Sequence, residues 1–154
     1  MSTNRLKLLL NFIDENECQQ ILLGEYDQTK LKDKIFNEFK KYFETKFKGY
    51  TISDIIDLKI NEYGVGQKYH DFISNDVNYL SFMIQLNNNY KEGYFQFLVN
   101  DGESYFQVHH GAGHIVLFFS NLKQRTTPVE YGVKKTLTGH VNLIKNDVIE
   151  KTLI

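Results

Sequence analysis

The sequence predicts an α+β, mainly β domain in which two N-terminal helices pack on one sheet of a β-sandwich or jelly roll. Three observations carry that prediction. Apolar residues recur at helical spacing before Gly49 and at alternating spacing after it. Turn residues then divide the remainder into roughly seven or eight short strands. Aromatic residues make up 14% of the chain, with 12 Phe, 10 Tyr and no Trp, and such wide side chains suit a β-rich interior. At 154 residues this is one domain's worth of chain, long enough to bury about two-thirds of its unfolded surface.

Residues 6–13 are apolar enough for an edge strand. Asp14 followed by Glu17 has capping-box spacing and predicts a short helix through about Leu23, stopped by Gly24. From Thr29 to Lys48 the residues Leu31, Ile35, Phe39, Phe43 and Phe47 recur every four positions, with Phe36 and Tyr42 widening the stripe, which predicts an amphipathic helix with one buried face. Beyond Gly49 the period falls to two. Ile56, Leu58 and Ile60 alternate with Asp57, Lys59 and Asn61; Leu80, Phe82 and Ile84 alternate with Ser81, Met83 and Gln85; Phe95, Phe97 and Val99 alternate with Gln96 and Leu98. Further strands are expected near 104–109, 114–119 and 134–144, separated by turns at Asn100-Asp101-Gly102, Gly111 to Gly113, and Pro128 to Gly132.

Charge and composition exclude several functions. The formal net charge is -1 and the pI is about 6.5, so no global field draws the chain to nucleic acid or to an anionic membrane. The basic cluster within Lys30 to Lys48 is interleaved with Asp33, Glu38 and Glu44 and reads as a solvated helix face. One cysteine, Cys18, forms neither an internal disulfide nor a thiolate metal cage. The apolar run Leu8-Leu9-Leu10 is broken at Asn11 and Asp14, too short for a signal-peptide core or a membrane span. A cytoplasmic protein is expected.

The stretch from Gly113 to Val141 carries the most information. An apolar strand closes on Phe118, Ser120 and Asn121; Pro128-Val129 and Gly132 follow; Lys134 opens the last strand. Upstream stand Asn11-Phe12-Ile13 with Glu17-Cys18, then Leu80 to Leu86 with Asn87, Tyr90, Gly93 and Phe95 to Phe97. Tyr63, Gly66 and Tyr69 match the first fixed positions of Y-x-x-G-x-x-Y-x-x-H-x-D. In this order and spacing the chain resembles the iron(II)- and 2-oxoglutarate-dependent oxygenases, prolyl 4-hydroxylase branch. The resemblance implies a double-stranded β-helix, cupin-like in form, as a single domain over 1–154, with a helical support over about 14–48 and a barrel over about 52–145.

It also implies a metal triad, which the sequence departs from at every position. Phe72 falls where the first His is expected, Ser74 where the Asp is expected and Gln124 where the distal His is expected. Iron(II) in this chemistry takes two imidazoles and a carboxylate; a phenyl ring offers no lone pair, and Ser and Gln only weak neutral oxygens. His70 and Asp71 are adjacent, so on a strand they diverge and do not share a metal; a site from His70 and Asp76 needs a spacing that the motif does not use. His109, His110 and His114 surround a Gly-rich turn that the resemblance places away from the metal, and His140 reads as a core or pocket-lining imidazole. The anion-binding half of the pattern is kept. Lys134 matches the lysine that holds the far carboxylate of 2-oxoglutarate, with Thr136 and Tyr63 at the accompanying hydroxyl positions, and Lys134, Thr136, Thr138 and His140 share one strand face. A buried lysine needs either a bound anion or an internal carboxylate; both stay open, and Arg125 is a further cation expected toward the pocket mouth.

Three functions follow. The first is an oxygenase-fold binding or scaffold protein without catalysis, binding 2-oxoglutarate or another small carboxylate, or a protein partner. The second is an active hydroxylase acting on a protein prolyl or similar side chain, and iron(II) enters only there. The third is a jelly-roll assembly module. No nucleic-acid or membrane partner is expected, and no oligomeric state is implied.

Overall fold

The computed structural model describes residues 6–43, 49–66, 79–99, 102, 104–109 and 111–145. Among the described residues thirteen elements follow one another: β1 (Leu6–Leu9), α1 (Glu15–Leu22), α2 (Gln28–Tyr42), β2 (Tyr50–Ile52), β3 (Ile56–Tyr63), β4 (Tyr79–Gln85), β5 (Tyr90–Glu92), β6 (Phe95–Val99), β7 (Ser104–Val108), β8 (Ile115–Phe119), β9 (Gln124–Thr126), β10 (Val129–Gly132) and β11 (Lys134–Lys145). The major sheet has the order β1-β8-β4-β11-β2, with β3 beside β2 on the same edge of β11. A three-stranded sheet β7-β6-β9 and a two-stranded sheet β10-β5 complete the β structure, and every strand pairing is antiparallel.

Both helices start where a carboxylate satisfies their orphan amides. Asp14 accepts from the Glu17 N–H at 2.7 Å while Glu17 reaches back to the Asp14 N–H, the full capping box. Asp27 accepts from the Lys30 N–H at 3.0 Å and so starts α2 at Gln28. The periodicity predicts this helix to Lys48, but it ends at Tyr42: Phe43 closes the last turn on the Phe39 carbonyl and departs from helical dihedrals. Phe47 lies outside the described residues. β1 is shorter than the apolar run because Asn11 turns the chain at φ 54°.

The two faces of the major sheet have different partners. Leu80, Phe82 and Ile84 of β4, Ile115 and Leu117 of β8, and Leu137 and Val141 of β11 face the helices and meet Ile21, Leu31, Ile35 and Phe39 in one core. The opposite face sends Met83, Val116 and Phe118 against Phe95, Phe97 and Val108 of the small sheet. Phe97 and Phe118 meet edge-on with centroids 4.9 Å apart, and Phe95 lies 4.7 Å from Phe97; such pairs contribute about 0.5–1.5 kcal/mol each beyond their buried area. Ile60 shares the helix-side face with Leu58 but is 39% exposed, because β3 is an edge strand that the helices do not cover. The stretch Pro128 to Gly132, marked as a turn by its composition, is largely strand: β10 pairs with β5, and the Pro128 carbonyl accepts from the Gly93 N–H. Among the described residues no helix is long and apolar enough to cross a membrane.

Candidate functional site

The inner face of β11 organises the site. Lys134 lies opposite Tyr63, Thr136 opposite Asn61 and Thr138 opposite Lys59 across β3, while Thr136, Thr138 and His140 lie opposite Gln85, Met83 and Ser81 across β4. Because paired residues share a face, this row points away from the helices, toward the side where Met83 meets the small sheet.

Lys134 is 1% exposed. Its Nζ donates to the Gly93 carbonyl at 2.8 Å and lies 5.8 Å and 6.0 Å from the ring centroids of Phe95 and Tyr90. The internal-carboxylate reading of its sequence position is not met among the described residues, where the acceptor is a backbone carbonyl. Burial pulls the ammonium down from 10.5 to about 7. Gly93 is held at φ 63°, and a Cβ there would come within 2.8 Å of Val129 Cγ2, so only glycine presents this carbonyl without displacing its neighbour.

Beside the lysine stands a row of hydroxyls and amides. Thr136 is fully buried and hydrogen-bonds Tyr63, whose phenol burial raises against the lowering effect of that bond. Asn61 Nδ2 donates to Thr138 Oγ1 at 2.8 Å and more weakly to Thr136 Oγ1 at 3.4 Å. Lys134, Thr136 and Tyr63 are thus brought together.

Sequence reasoning missed Tyr90 and Gln85 as neighbours of this row. Tyr90 donates its hydroxyl to Gln85 Oε1 at 2.9 Å, and Gln85 Nε2 donates to the His109 carbonyl at 3.0 Å. Burial pushes the Tyr90 phenol well above its usual range, so Tyr90 stays neutral while its ring flanks Lys134. The signal was present in Gln85, a long polar residue at the inward-facing end of a strand whose other face is apolar.

Gln124 lies opposite Phe97 on β9 and shares its face, so it stands on the inner side of the small sheet, half-buried, with Nε2 donating to the Leu122 carbonyl at 3.4 Å. The sequence pattern expects an imidazole at this position, and a neutral carboxamide does not fit the needs of iron(II). Arg125 corrects the sequence expectation. Alternation puts it on the opposite face from Gln124, where its Nε donates to Gln96 Oε1 at 2.9 Å and Gln96 in turn donates to Gln107, away from the inner face of the small sheet. Phe72, Ser74, His70, Asp71, Asp76 and His110 lie outside the described residues. Among the described residues no three His, Cys, Asp or Glu side chains gather as metal ligands.

The remaining histidines have other contacts. His114 Nδ1 accepts from the Asn11 N–H at 3.2 Å, and burial lowers its pKa. His140 Nε2 lies 3.2 Å from Asp57 Oδ2. An open groove of about 350 Å³ runs between α1 and the Asn87 to Asn89 loop, on the helix side of the sheet and away from Lys134. Cys18 lines it, its thiol raised to about 11, chiefly by burial, then by Asp14, Glu17 and Glu15.

No protein-family model matches the sequence, and no curated protein matches it. Solved structures do resemble the fold. A viral collagen prolyl hydroxylase from Paramecium bursaria Chlorella virus-1 superposes with a TM-score of 0.68 at 15% identity, over 92% of this chain and 90% of that one. A prolyl-4-hydroxylase of Pseudomonas putida gives 0.69 at 14% identity, over 91% and 93%. A prolyl hydroxylase of Trichoplax adhaerens, solved with a peptide fragment of the hypoxia-inducible-factor oxygen degradation domain, gives 0.71 at 14% identity, over 98% and 87%. The chain has the double-stranded β-helix fold of the 2-oxoglutarate- and iron(II)-dependent prolyl hydroxylases.

Proposed function

We propose that this chain is a non-catalytic oxygenase-fold protein that holds a small dicarboxylate such as 2-oxoglutarate in its barrel without iron. Lys134 supplies the cation, and the hydroxyls of Thr136 and Tyr63 supply donors to the same carboxylate. The observation that carries the reading is the burial of Lys134 on the inner face with a single carbonyl acceptor and no carboxylate among the described residues. An ammonium so placed gains from an entering anion, since an unpaired buried charge is costly. The loss of catalysis is supported by Gln124 on the inner face of the small sheet and by Phe72 and Ser74 at the other two ligand positions of the sequence pattern.

Calorimetric titration of 2-oxoglutarate into metal-stripped protein, with and without manganese(II) as a redox-silent stand-in for iron(II), tests the proposal. Binding of equal strength in both arms is the expected result. Binding only with manganese refutes it and revives an active hydroxylase with a metal site built from other residues. Silence in both arms refutes the carboxylate pocket and leaves a scaffold or assembly role.

A further inference from the structure

We propose that anion capture by this barrel is coupled to proton capture by Lys134, the amine giving up its proton more readily in the empty site than in the filled one. The proposal rests on Lys134 being the seat of the anion. Among the described residues, each element packed against Lys134 withholds negative charge. On β3 the facing residue is Tyr63, while Glu62 pairs with Lys135 and points to the other face. On β5 the facing residue is Tyr90, a phenol engaged with Gln85, and Lys91 points outward to Glu130. Neither Glu92 nor Glu130 forms an ion pair with Lys134. Phe95 of β6 and Val129 of β10 are apolar, and on β11 the neighbour on the same face is Thr136. Tyr94 follows Gly93 as a further phenol.

Among the described residues Nζ therefore has one neutral acceptor, the Gly93 carbonyl, and two aromatic faces. That environment desolvates an ammonium without neutralising it, and burial alone moves its pKa to about 7. A carboxylate brought against Nζ restores the missing counter-charge and returns the pKa toward its ordinary value. Proton and anion then bind with positive coupling, each raising the affinity of the other by the same factor. The process is an acid–base step only: the amine takes one proton from solvent as the dicarboxylate enters, and no covalent bond to the ligand forms. 2-Oxoglutarate is fully ionised above about pH 6, so it contributes no proton change of its own.

The test is calorimetric titration of 2-oxoglutarate into the metal-stripped chain between about pH 6.5 and 9, in Tris and in HEPES, whose different ionisation enthalpies reveal the protons exchanged. Uptake rising toward one proton per anion by about pH 8.5 is expected, with affinity falling up to tenfold per pH unit above the lysine's pKa. Binding of constant affinity with no proton uptake overturns the coupling and leaves the pocket standing. Absence of binding at every pH overturns the pocket, and the coupling with it. Lys134→Met guards the assignment: if it still binds the anion and takes up a proton, another group is the acceptor and the proposal is wrong.

Discussion

Lys134→Met should stabilise the empty protein at neutral and acid pH and lose that advantage as the solution becomes alkaline. The free lysine has a pKa of 10.5 and the buried one about 7. At ~1.4 kcal/mol per unit, holding the buried charge costs up to roughly 5 kcal/mol. The sign follows from proton counts. Between pH 7 and 10.5 the unfolded chain binds the proton that the folded chain has shed, so wild-type stability rises with pH across that window. Below pH 7 both states are charged and the cost is full; above 10.5 neither is, and the cost is gone. Methionine has similar length and no charge, but it leaves the Gly93 carbonyl without its donor, a loss of about 1–2 kcal/mol. The variant should therefore be more stable by about 3 kcal/mol near pH 6.5, about equal near pH 9, and slightly less stable near pH 10. Urea unfolding of both proteins at these three values supplies the comparison, with unchanged m-values as the check that the same transition is read. A difference in stability that does not vary with pH would refute the account, and so would a methionine variant weaker than wild type at pH 6.5.

Other substitutions probe the supports of the site. Gly93→Ala places a Cβ against Val129 at a left-handed φ and should cost about 1–3 kcal/mol; a thermal melt unchanged within a degree would show that the loop relaxes freely. Tyr90→Phe removes the donor to Gln85 Oε1, which keeps only a long contact from the Gly111 N–H at 3.4 Å, so a loss of about 1–2 kcal/mol in urea is expected, and a neutral result would mean that solvent replaces the hydroxyl. Asp14→Ala dismantles the capping box of α1 and should cost about 1 kcal/mol; Asp14→Asn, which keeps an acceptor at the cap, should recover most of it, and failure of that recovery would assign the loss to charge.

The parts of the fold governed by periodicity were legible in the sequence. Leu80, Phe82 and Ile84 on one side and Met83 on the other mark a strand covered on both faces, and the structure covers one with helices and the other with the small sheet. Lys134, Thr136 and Thr138 could be put on one face by counting residues. What counting did not reach was the identity of partners. The acceptor for Lys134 is a backbone carbonyl, and carbonyls look alike in every sequence. Gln124 and Arg125 sit on a three-residue strand, too short for any period to show, so the outward turn of Arg125 had no visible cause. β10 was hidden by Pro128 and Gly132, whose turn chemistry is real but confined to the ends of the strand. Asp27 was overlooked as a helix cap because no acidic residue follows it in the first turn.

The pairing of β11 carries a consequence for how the chain acquires its shape. This strand is the last of the described elements to be synthesised, yet it lies between β4 on one side and β2 and β3 on the other. Until it arrives, β2 and β3 have no neighbour in the sheet among the described residues, although they are made between about seventy and ninety-five residues earlier, as the registers Lys134 to Tyr63 and Lys145 to Tyr50 show. Pairings of such long separation close large loops before any contact rewards them, which makes folding slow and concerted. Half of the major sheet waits on one late strand, and that strand carries Lys134. Lys134 is therefore seated in the same event that completes the sheet, and a partly folded chain would lack the proposed anion pocket.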